Sequence, residues 1–426
     1  MTPFWKGERE AEDARTRAAR SFERLRQHAD RAMASSELVR HRFESAGLKP
    51  ADLTDDEALL RLPVISKPDI IADQAPRPPY GALIGCDPVD VVRTYVGPGP
   101  QTTFFTADDY SATADHAAWA FATNGFRADD VVDVTIMYHW VIAGTIMDEG
   151  YRRIGCAVVP GGIGMVPTHL ENFRWLGVTG LFAFPTFLEE LANGAKEHDV
   201  DPARDLSLRI CTIAGEMRSE ALRQRMEDFW GGMKVREIYG GAEVPFVAAE
   251  CDRGVGMHLN PDFVIELLHP ETREPVAAGE PGVVVATELE RVAEPMIRYW
   301  TGDIVAGLNP EPCSCGRTTP RMGRVLGRVG EIPRVKGLFL VPKQIEGGLA
   351  RVEGSGRFQV VIDRPARQDT IRLRVEHRAA AAAERAALAA EMVSVVKEAT
   401  RLTCEVELVE VGALGDAPLI DDRRSF

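Results

Sequence analysis

Four potential metal ligands constrain the fold of this chain more than any other feature. Six residues separate Cys251 from His258, and a single residue separates Cys313 from Cys315. Two thiolates one residue apart can bind the same ion at a turn, and a distant Cys/His pair can complete a tetrahedron. Three sulfurs and one nitrogen suit zinc, and four protein ligands leave no open position, so the pattern predicts a structural zinc ion. The alternative is a set of unrelated core cysteines, which are common in proteins.

Length and composition indicate an ordinary globular protein with more than one domain. The chain has 426 residues, of which 45% are hydrophobic and 27% charged, and this length exceeds a single hydrophobic core. Its net charge of −14 argues against a general binder of nucleic acid or of anionic membranes. No apolar run approaches bilayer length, and the charged start does not resemble a signal peptide. We therefore expect a cytoplasmic protein with reduced cysteines.

The order of predicted elements indicates an α/β protein with two domains. Helical and strand patterns alternate from about residue 108 to 214, which predicts a doubly wound body with loops gathered at the strand ends. From about residue 262, short strands with turns predict a β-rich subdomain. We expect an N-terminal domain over 1–329, including a zinc-bearing β subdomain, and a small mobile α+β domain over 332–426. The hinge is placed near Gly330 and Glu331.

A Tyr-Gly-Gly-x-Glu turn has the features of a nucleotide site. Tyr239 offers an aromatic face for a purine, and Gly240 and Gly241 let the backbone approach a phosphate closely. Glu243 places a carboxylate where Mg²⁺ would bind phosphate oxygens. Asp303 follows Thr-Gly at a predicted strand end, where its carboxylate can accept both hydroxyls of a ribose. The alternatives are an ordinary β-turn and a turn aspartate.

Four segments together resemble the acyl-adenylate-forming superfamily, and specifically its phenylacetate–CoA ligase branch. The segments are EIYGGAE at 237–243, IRYWTGD at 297–303, CSCGR through GR at 313–328, and KGLFLVPKQIE at 336–346. Each is weak alone, but their order and spacing are specific. The resemblance runs from about residue 60 to the end of the chain, and it implies a large adenylate-forming domain followed by a small C-terminal lid.

The resemblance implies substrates and roles for individual residues. ATP or AMP with Mg²⁺, a small carboxylic acid and coenzyme A as co-substrate are the implied ligands, and a homodimer is implied because this branch often forms dimers. Tyr239 would stack on adenine, Glu243 would reach the metal, and Asp303 would bind the ribose together with Arg328. An unrelated surface ion pair is the alternative for Arg328. The other implied nucleotide contacts are Gly215, Glu216, Gly240, Gly241, Thr102 and Thr103.

Aromatic residues predict an acyl pocket that suits an aryl or otherwise apolar acid. Its expected walls are Tyr138 and Trp140, the turn at Gly161, and Phe184. His139 is the histidine that we place near the reacting carboxyl group. A buried histidine with a satisfied hydrogen bond is the equally plausible alternative.

The sequence departs from the family pattern where phosphate is handled. Activation by ATP places negative charge on phosphorus and pyrophosphate, so catalysis depends on cations and N–H donors. Gln101 stands where the phosphate loop of the family carries lysine, and two prolines in that loop remove N–H donors. Ala242 replaces the usual hydroxyl residue, and Asp416 takes the place of the C-terminal lysine. Replacing an ammonium group by a carboxylate reverses the sign of its interaction with phosphate charge.

Three functions are therefore open. The first is an ATP-dependent carboxylate–CoA ligase in which arginines, or Lys336 or Lys343 after a rotation of the small domain, replace the missing lysine. The second is a diverged enzyme that uses a preformed activated acyl group or performs another condensation in biosynthesis. The third is a non-catalytic binder of a nucleotide or acyl ligand.

Overall fold

The structure is a computed structural model that describes residues 4–97, 100–216, 220–330, 333–335, 338–363, 365, 370–378 and 382–423. The chain divides into two compact units, Met1–Val325 and Leu326–Phe426. The predicted boundary lies between residues 329 and 332. Lys336 falls outside the described residues, and the side chain of Lys343 is likewise not described.

The first unit contains ten α-helices among its described residues. They are α1 (Ala14–Ser35), α2 (Glu37–Ser45), α3 (Asp56–Leu60), α4 (Lys67–Gln74), α5 (Ala107–Asn124), α6 (Ala143–Ile154), α7 (Val166–Trp175), α8 (Pro185–Glu197), α9 (Pro202–Asp205) and α10 (Glu220–Phe229). Side chains fix where the principal helices begin. Asp13 accepts hydrogen bonds from the backbone N–H groups of Arg15 and Thr16 at the start of α1. Thr106 and Asp109 form a capping box at the start of α5, which ends at Gly125 in the left-handed region.

The strands of the first unit are short and mostly buried. They are β1 (Ile65–Ser66), β2 (Arg93–Gly97), β3 (Gln101–Phe105), β4 (Val131–Val134), β5 (Ala157–Val159), β6 (Gly180–Ala183), β7 (Ile210–Ile213), β8 (Lys234–Tyr239), β9 (Ala248–Glu250), β10 (Met257–Leu259), β11 (Phe263–Leu268), β12 (Gly282–Glu288), β13 (Tyr299–Val305), β14 (Leu308–Asn309) and β15 (Arg321–Met322). Strand β16 (Val325–Arg328) lies where the two units meet in sequence.

One large mixed sheet forms the body of the first unit. Its order is β14-β15-β10-β9-β8-β7-β6-β4-β5, and the strands from β4 to β8 run parallel. Separate apolar clusters pack on α5 and α6 and on α7 and α8, so helices cover the parallel strands on two sides. This arrangement confirms the predicted α/β class. Strands β9, β10 and β15 extend the large sheet beyond its parallel strands. A second sheet contains β1, β13, β12 and β11.

The second unit is a small α+β module with its own core. Its further elements are β17 (Arg334–Val335), β18 (Leu338–Phe339), α11 (Pro342–Leu349), β19 (Phe358–Asp363), β20 (Thr370–Glu376), α12 (Ala382–Thr400), β21 (Glu405–Val409) and β22 (Ile420–Asp422). Four strands form a sheet in the order β21-β20-β19-β22. Side chains from this sheet and from both helices make one buried cluster. In the part of the chain that the structure describes, every helix is too short or too polar to cross a bilayer.

Candidate active site and metal centre

The carboxyl ends of the parallel strands gather the predicted nucleotide residues at one edge of the large sheet. Gly215 follows β7, and Gly240 follows β8. A Cβ atom on Gly215 would lie 2.6 Å from the ring of Phe184, and one on Gly240 would lie 2.5 Å from the backbone nitrogen of Phe246. Both positions therefore require glycine. The carboxylate of Glu216 accepts hydrogen bonds from the backbone and hydroxyl of Thr186 at 3.0 and 2.7 Å, which attaches this loop to the start of α8.

Tyr239 and Asp303 meet although they are far apart in sequence. The hydroxyl of Tyr239 donates to the carboxylate of Asp303 at 3.0 Å. Asp303 is fixed in turn because its backbone N–H donates to the hydroxyl of Thr301, while Gly302 adopts a φ of 79°. The two side chains thus present an aromatic ring next to a carboxylate. Arg328, the predicted third member of this group, lies exposed on β16 in the second unit.

A cavity of ≈ 390 Å³ lies along the antiparallel strands β9, β10 and β15 of the large sheet. Glu237 lines it and lies two residues before Tyr239, so both side chains point to the same face of β8. Met257 and Ala306 supply apolar walls, and Arg324 supplies a cation. The cavity therefore combines apolar surface with charged groups.

Glu243 has a cationic neighbour that the sequence did not reveal. The ammonium group of Lys67, on the first turn of α4, lies 3.6 Å from the Glu243 carboxylate. A Cβ atom on Gly97 would lie 4.0 Å from the same ammonium group. Lys67 therefore stands between the Glu243 turn and the strand that enters the predicted phosphate loop. The chain has only eight lysines, and this scarcity is the one sequence signal that could have pointed to Lys67.

The predicted phosphate loop is a β-hairpin formed by β2 and β3. Val96 pairs with Thr102, and Gly97 pairs with Gln101. The side chain of Gln74 closes on Thr102, accepting from its N–H at 2.8 Å and donating to its carbonyl at 2.7 Å. The N–H of Val96 donates to the carbonyl of Trp140 at 2.8 Å. Two backbone donors of the hairpin are thus used within the protein and do not face a phosphate.

Three side chains of β3 belong to the predicted phosphate loop, where the sequence departs from the family pattern. Thr103 is buried, while Thr102 is half-buried. Gln101, the residue in the place of lysine, is only 1% exposed. A buried amide cannot supply the positive charge that a lysine would bring to a phosphate. This strand therefore carries no cation in the place of the lysine, whereas Lys67 brings an ammonium group close to Glu243.

The predicted acyl residues differ widely in exposure. Tyr138 is half-buried and donates to Asp148 at 3.2 Å, and burial raises the pKa of its hydroxyl. Phe184 is half-buried and packs against the cluster between the sheet and α6, with Tyr138. Trp140 is 74% exposed with a φ of 66°, and His139 is also exposed. The structure thus brings Tyr138 and Phe184 into one cluster and leaves the other two side chains at the surface.

A buried histidine that the sequence did not single out lies behind the Gly161 turn. His169 Nδ1 is 2.7 Å from the carboxylate of Asp133. A Cβ atom on Gly161 would lie 2.2 Å from that carboxylate and 2.5 Å from the His169 ring, so only glycine fits. His169 also packs against Phe173 and Phe187, on the side of the sheet that α7 and α8 cover. It therefore fixes the position of Gly161. No periodicity pointed to this pair, because Asp133 and His169 are joined only by the fold.

The four predicted metal ligands form one buried cluster. Cys251 and Cys313 place their sulfurs 3.9 Å apart, and Cys315 places its sulfur 3.4 Å from Nε2 of His258. A tetrahedral zinc ion with ordinary bond lengths requires about 3.8 Å between sulfurs and about 3.6 Å between sulfur and nitrogen. All four ligand atoms lie within 4.8 Å of one another, so the residues fit the ion.

Neighbouring groups orient the ligands of this cluster and hold it in place. Nδ1 of His258 lies 3.2 Å from the Thr319 hydroxyl, which leaves Nε2 directed at the sulfurs. Burial lowers the pKa of His258 to about 4, so its ring is neutral, as a ligand must be. The guanidinium of Arg317 donates to the Cys315 sulfur at 3.8 Å and to the carboxylate of Glu10. The cluster is thereby tied to the N-terminal segment.

In the second unit, the residue in the place of the C-terminal lysine is an exposed carboxylate. Asp416 lies in the turn that precedes β22. The replacement role predicted for Lys336 or Lys343 stays a prediction, because the structure describes neither side chain.

Sequence comparisons place the chain among enzymes that bind AMP. Residues 163–288 match the family profile of AMP-binding enzymes, and residues 337–418 match that of the AMP-binding enzyme C-terminal domain. The phenylacetate–coenzyme A ligase of Thermus thermophilus is 30% identical over 348 residues, which cover 80% of this chain and 76% of that protein. The enzyme of the same name from Pseudomonas putida is 29% identical over 367 residues, which cover 84% and 81%.

Solved structures agree with the sequence comparisons. A crystal structure of 2-hydroxyisobutyryl-CoA ligase in an open conformation, with 2-HIB-AMP and CoA, has a TM-score of 0.86 at 26% identity. The match covers 97% of this chain and 93% of that one. The same ligase in its thioesterification state, also with 2-HIB-AMP and CoA, gives a TM-score of 0.73 over 98% and 92%.

Proposed function

Because this chain belongs to the phenylacetate–coenzyme A ligase family of adenylate-forming enzymes, we propose that it converts a small carboxylic acid into its coenzyme A thioester through an acyl-AMP. In the first step, a carboxylate oxygen attacks the α-phosphorus of ATP, and the bond to pyrophosphate breaks. In the second step, the thiol of coenzyme A attacks the acyl carbon and AMP leaves. Support comes from relatives named for coenzyme A ligation and from a solved ligase that holds both an acyl-AMP and CoA.

The observation that carries this proposal is the contact between Lys67 and Glu243. Glu243 would hold Mg²⁺, which shields the phosphate oxygens from the attacking carboxylate. Lys67, 3.6 Å away, brings an ammonium group to the same place, where it would stabilise the charge that develops on the phosphate. This cation takes over the role of the lysine that Gln101 replaces. In this proposal α4, and not the hairpin, supplies the cation of the phosphate site.

The Tyr239–Asp303 pair would hold the nucleoside. The Tyr239 ring offers a stacking surface for adenine, and the Asp303 carboxylate accepts the ribose hydroxyls. Tyr138 and Phe184 would line an apolar acyl site, which favours an aryl or other apolar acid.

The decisive experiment is pyrophosphate–ATP exchange measured with a panel of aryl and aliphatic acids, followed by assay of the thioester. We expect exchange that depends on an added acid and on Mg²⁺. The Lys67→Met variant should lose most of this exchange, whereas Lys397→Met, which alters an exposed lysine of α12, should retain it. Binding of AMP without exchange by any acid would contradict the proposal.

A second function is favoured by the closed hairpin. The N–H groups of Val96 and Thr102 are bonded within the protein, and Asp416 brings negative charge where the family carries lysine. An enzyme that accepts a preformed acyl-AMP or another activated acyl group does not need to bind a triphosphate. Thioester formation from a synthetic acyl-AMP, without formation from acid and ATP, would establish this alternative.

We propose further that the Cys/His cluster binds one structural zinc ion per chain. The spacing of its four ligand atoms and the neutral ring of His258 support this assignment. With four protein ligands, the ion would have no position for substrate. It would instead hold β9, β10 and the segment before β15 together at the edge of the large sheet.

A further inference from the structure

A fully buried arginine connects the Glu243 turn to the hairpin. Arg291 and Glu294 lie between β12 and β13, and both are 0% exposed. Nη1 of Arg291 donates to the carbonyl of Glu243 at 2.9 Å. Nη2 of the same side chain donates to the carbonyl of Phe104, on β3, at 3.5 Å. One guanidinium group therefore contacts the backbone of both segments that frame the proposed phosphate site.

Two further contacts hold this guanidinium in place. Its carbon lies 4.2 Å from the ring centroid of Phe105, in a cation–π arrangement. Its Nη2 also pairs with the carboxylate of Glu294, three residues further along the chain. Because a guanidinium is planar, with donors in fixed directions, these contacts set the direction in which it reaches the two carbonyls. A flexible ammonium group could not satisfy both at once.

Stability alone gives little reason for this pair. Removing two charges from water is costly, and apolar side chains of similar volume often stabilise a core equally well. Burial raises the pKa of the Glu294 carboxyl group, in keeping with that cost. The nearby Glu243 carboxylate adds to the rise. A role in geometry would explain why the site contains a charged pair.

We propose that Arg291, oriented by Glu294, is a positioning residue that fixes the Glu243 turn relative to β3. Arg291 touches no reacting atom. It acts by holding Glu243, and through Glu243 the Mg²⁺ of bound ATP, at a set distance from the hairpin. The inference rests on the proposed function, in which Glu243 binds the metal. Residues that orient a metal ligand are typically worth about 10- to 100-fold in metal affinity or activity.

The test is the double variant Arg291→Met/Glu294→Leu, which removes the charges and keeps much of the volume. Its matched control is Arg298→Met/Glu266→Leu. Arg298 and Glu266 form another buried pair, joined at 2.8 and 2.9 Å, and Arg298 donates to the carbonyl of Leu60 and not to Glu243. Three quantities are measured: the melting temperature, amide hydrogen exchange of residues 101–105 and 240–246, and the Mg²⁺ dependence of pyrophosphate exchange.

We expect the test variant to melt near the wild-type temperature, to exchange amide hydrogens faster in both segments, and to need at least 10-fold more Mg²⁺. The control should leave both segments and the Mg²⁺ dependence unchanged. Arg291→Lys, which keeps the charge but cannot reach both carbonyls, is measured in parallel and should show the same changes. If the double variant does not fold, the Arg291→Lys variant alone tests whether Arg291 positions the Glu243 turn.

Wild-type hydrogen exchange and Mg²⁺ dependence in the folded variants would overturn the inference. If wild-type protein shows no acid-dependent exchange of pyrophosphate, the proposed function has failed. Amide hydrogen exchange in the two segments still decides whether Arg291 connects them, because this measurement needs no substrate.

Discussion

Replacing Cys315 by serine tests the metal centre directly. Its sulfur lies 3.4 Å from the ligand nitrogen of His258 and accepts from Arg317. The change removes one thiolate ligand of zinc, while the serine hydroxyl can still accept from the guanidinium. A ligand present at 1,000 times its dissociation constant stabilises the folded state by about 4 kcal/mol. The unit that contains the cluster spans Met1–Val325. At roughly 2 cal/mol/K of unfolding entropy per residue, losing the ion should lower its melting temperature by about 6 °C.

The assay combines metal analysis with thermal unfolding followed by calorimetry. Wild-type protein should contain about one zinc ion per chain, and Cys315→Ser should contain much less and melt earlier. Cys211→Ala is the matched control, because Cys211 is equally buried but lies on β7, outside the cluster. This control should keep its zinc. Correctly folded wild-type protein without any metal would refute the reasoning, as would a zinc-free Cys315→Ser variant with an unchanged melting temperature.

Two further changes test the site, and a third tests a buried histidine of α1. Lys67→Met should lower kcat/KM for ATP by about 100-fold, the typical cost of losing one group that stabilises developing charge, and Lys397→Met should leave kcat/KM unchanged in the same steady-state assay. Asp303→Asn should weaken AMP binding by about 10-fold or more in calorimetric titration, because an ionised acceptor of the ribose is lost, and unchanged affinity would exclude the assigned role. Burial lowers the pKa of His28 from 6.5 to about 4, so the unfolded chain binds a proton that the folded chain excludes. The free energy of unfolding should therefore rise by about 3 kcal/mol between pH 4 and 6.5, and denaturant titrations of His28→Leu should show a smaller rise.

Short-range patterns in the sequence were sufficient for the fold class and for part of the site. The alternation of helical and strand periods predicted the parallel strands, and parallel strands bring their carboxyl ends to one edge of a sheet. Tyr239 and Asp303, predicted to share a nucleoside, are in fact joined by a hydrogen bond. The four metal ligands were also predicted to form one site, and they lie together in the structure. Two of them could be paired from the sequence alone, because the C-x-C spacing fixes them close to each other.

The hairpin was not predicted, because proline and glycine suggested a loop. The pairing of Val96 with Thr102 depends on hydrogen bonds across strands, and the closure by Gln74 comes from a helix elsewhere in the chain. Neither contact leaves a periodic signal.

The order of helices, strands and turns along the chain depends on backbone geometry and on hydrophobic periodicity, and both are evident from the amino-acid sequence. The α/β class, the two-domain order, the glycine turns and the ligand pairs could therefore be predicted. The partners of charged groups are a different matter. Lys67 meets Glu243, and Arg291 reaches Glu243 and Phe104, only after distant segments have packed. Ion pairs and hydrogen bonds form only between groups that are close in space, and only the tertiary structure brings these distant segments together.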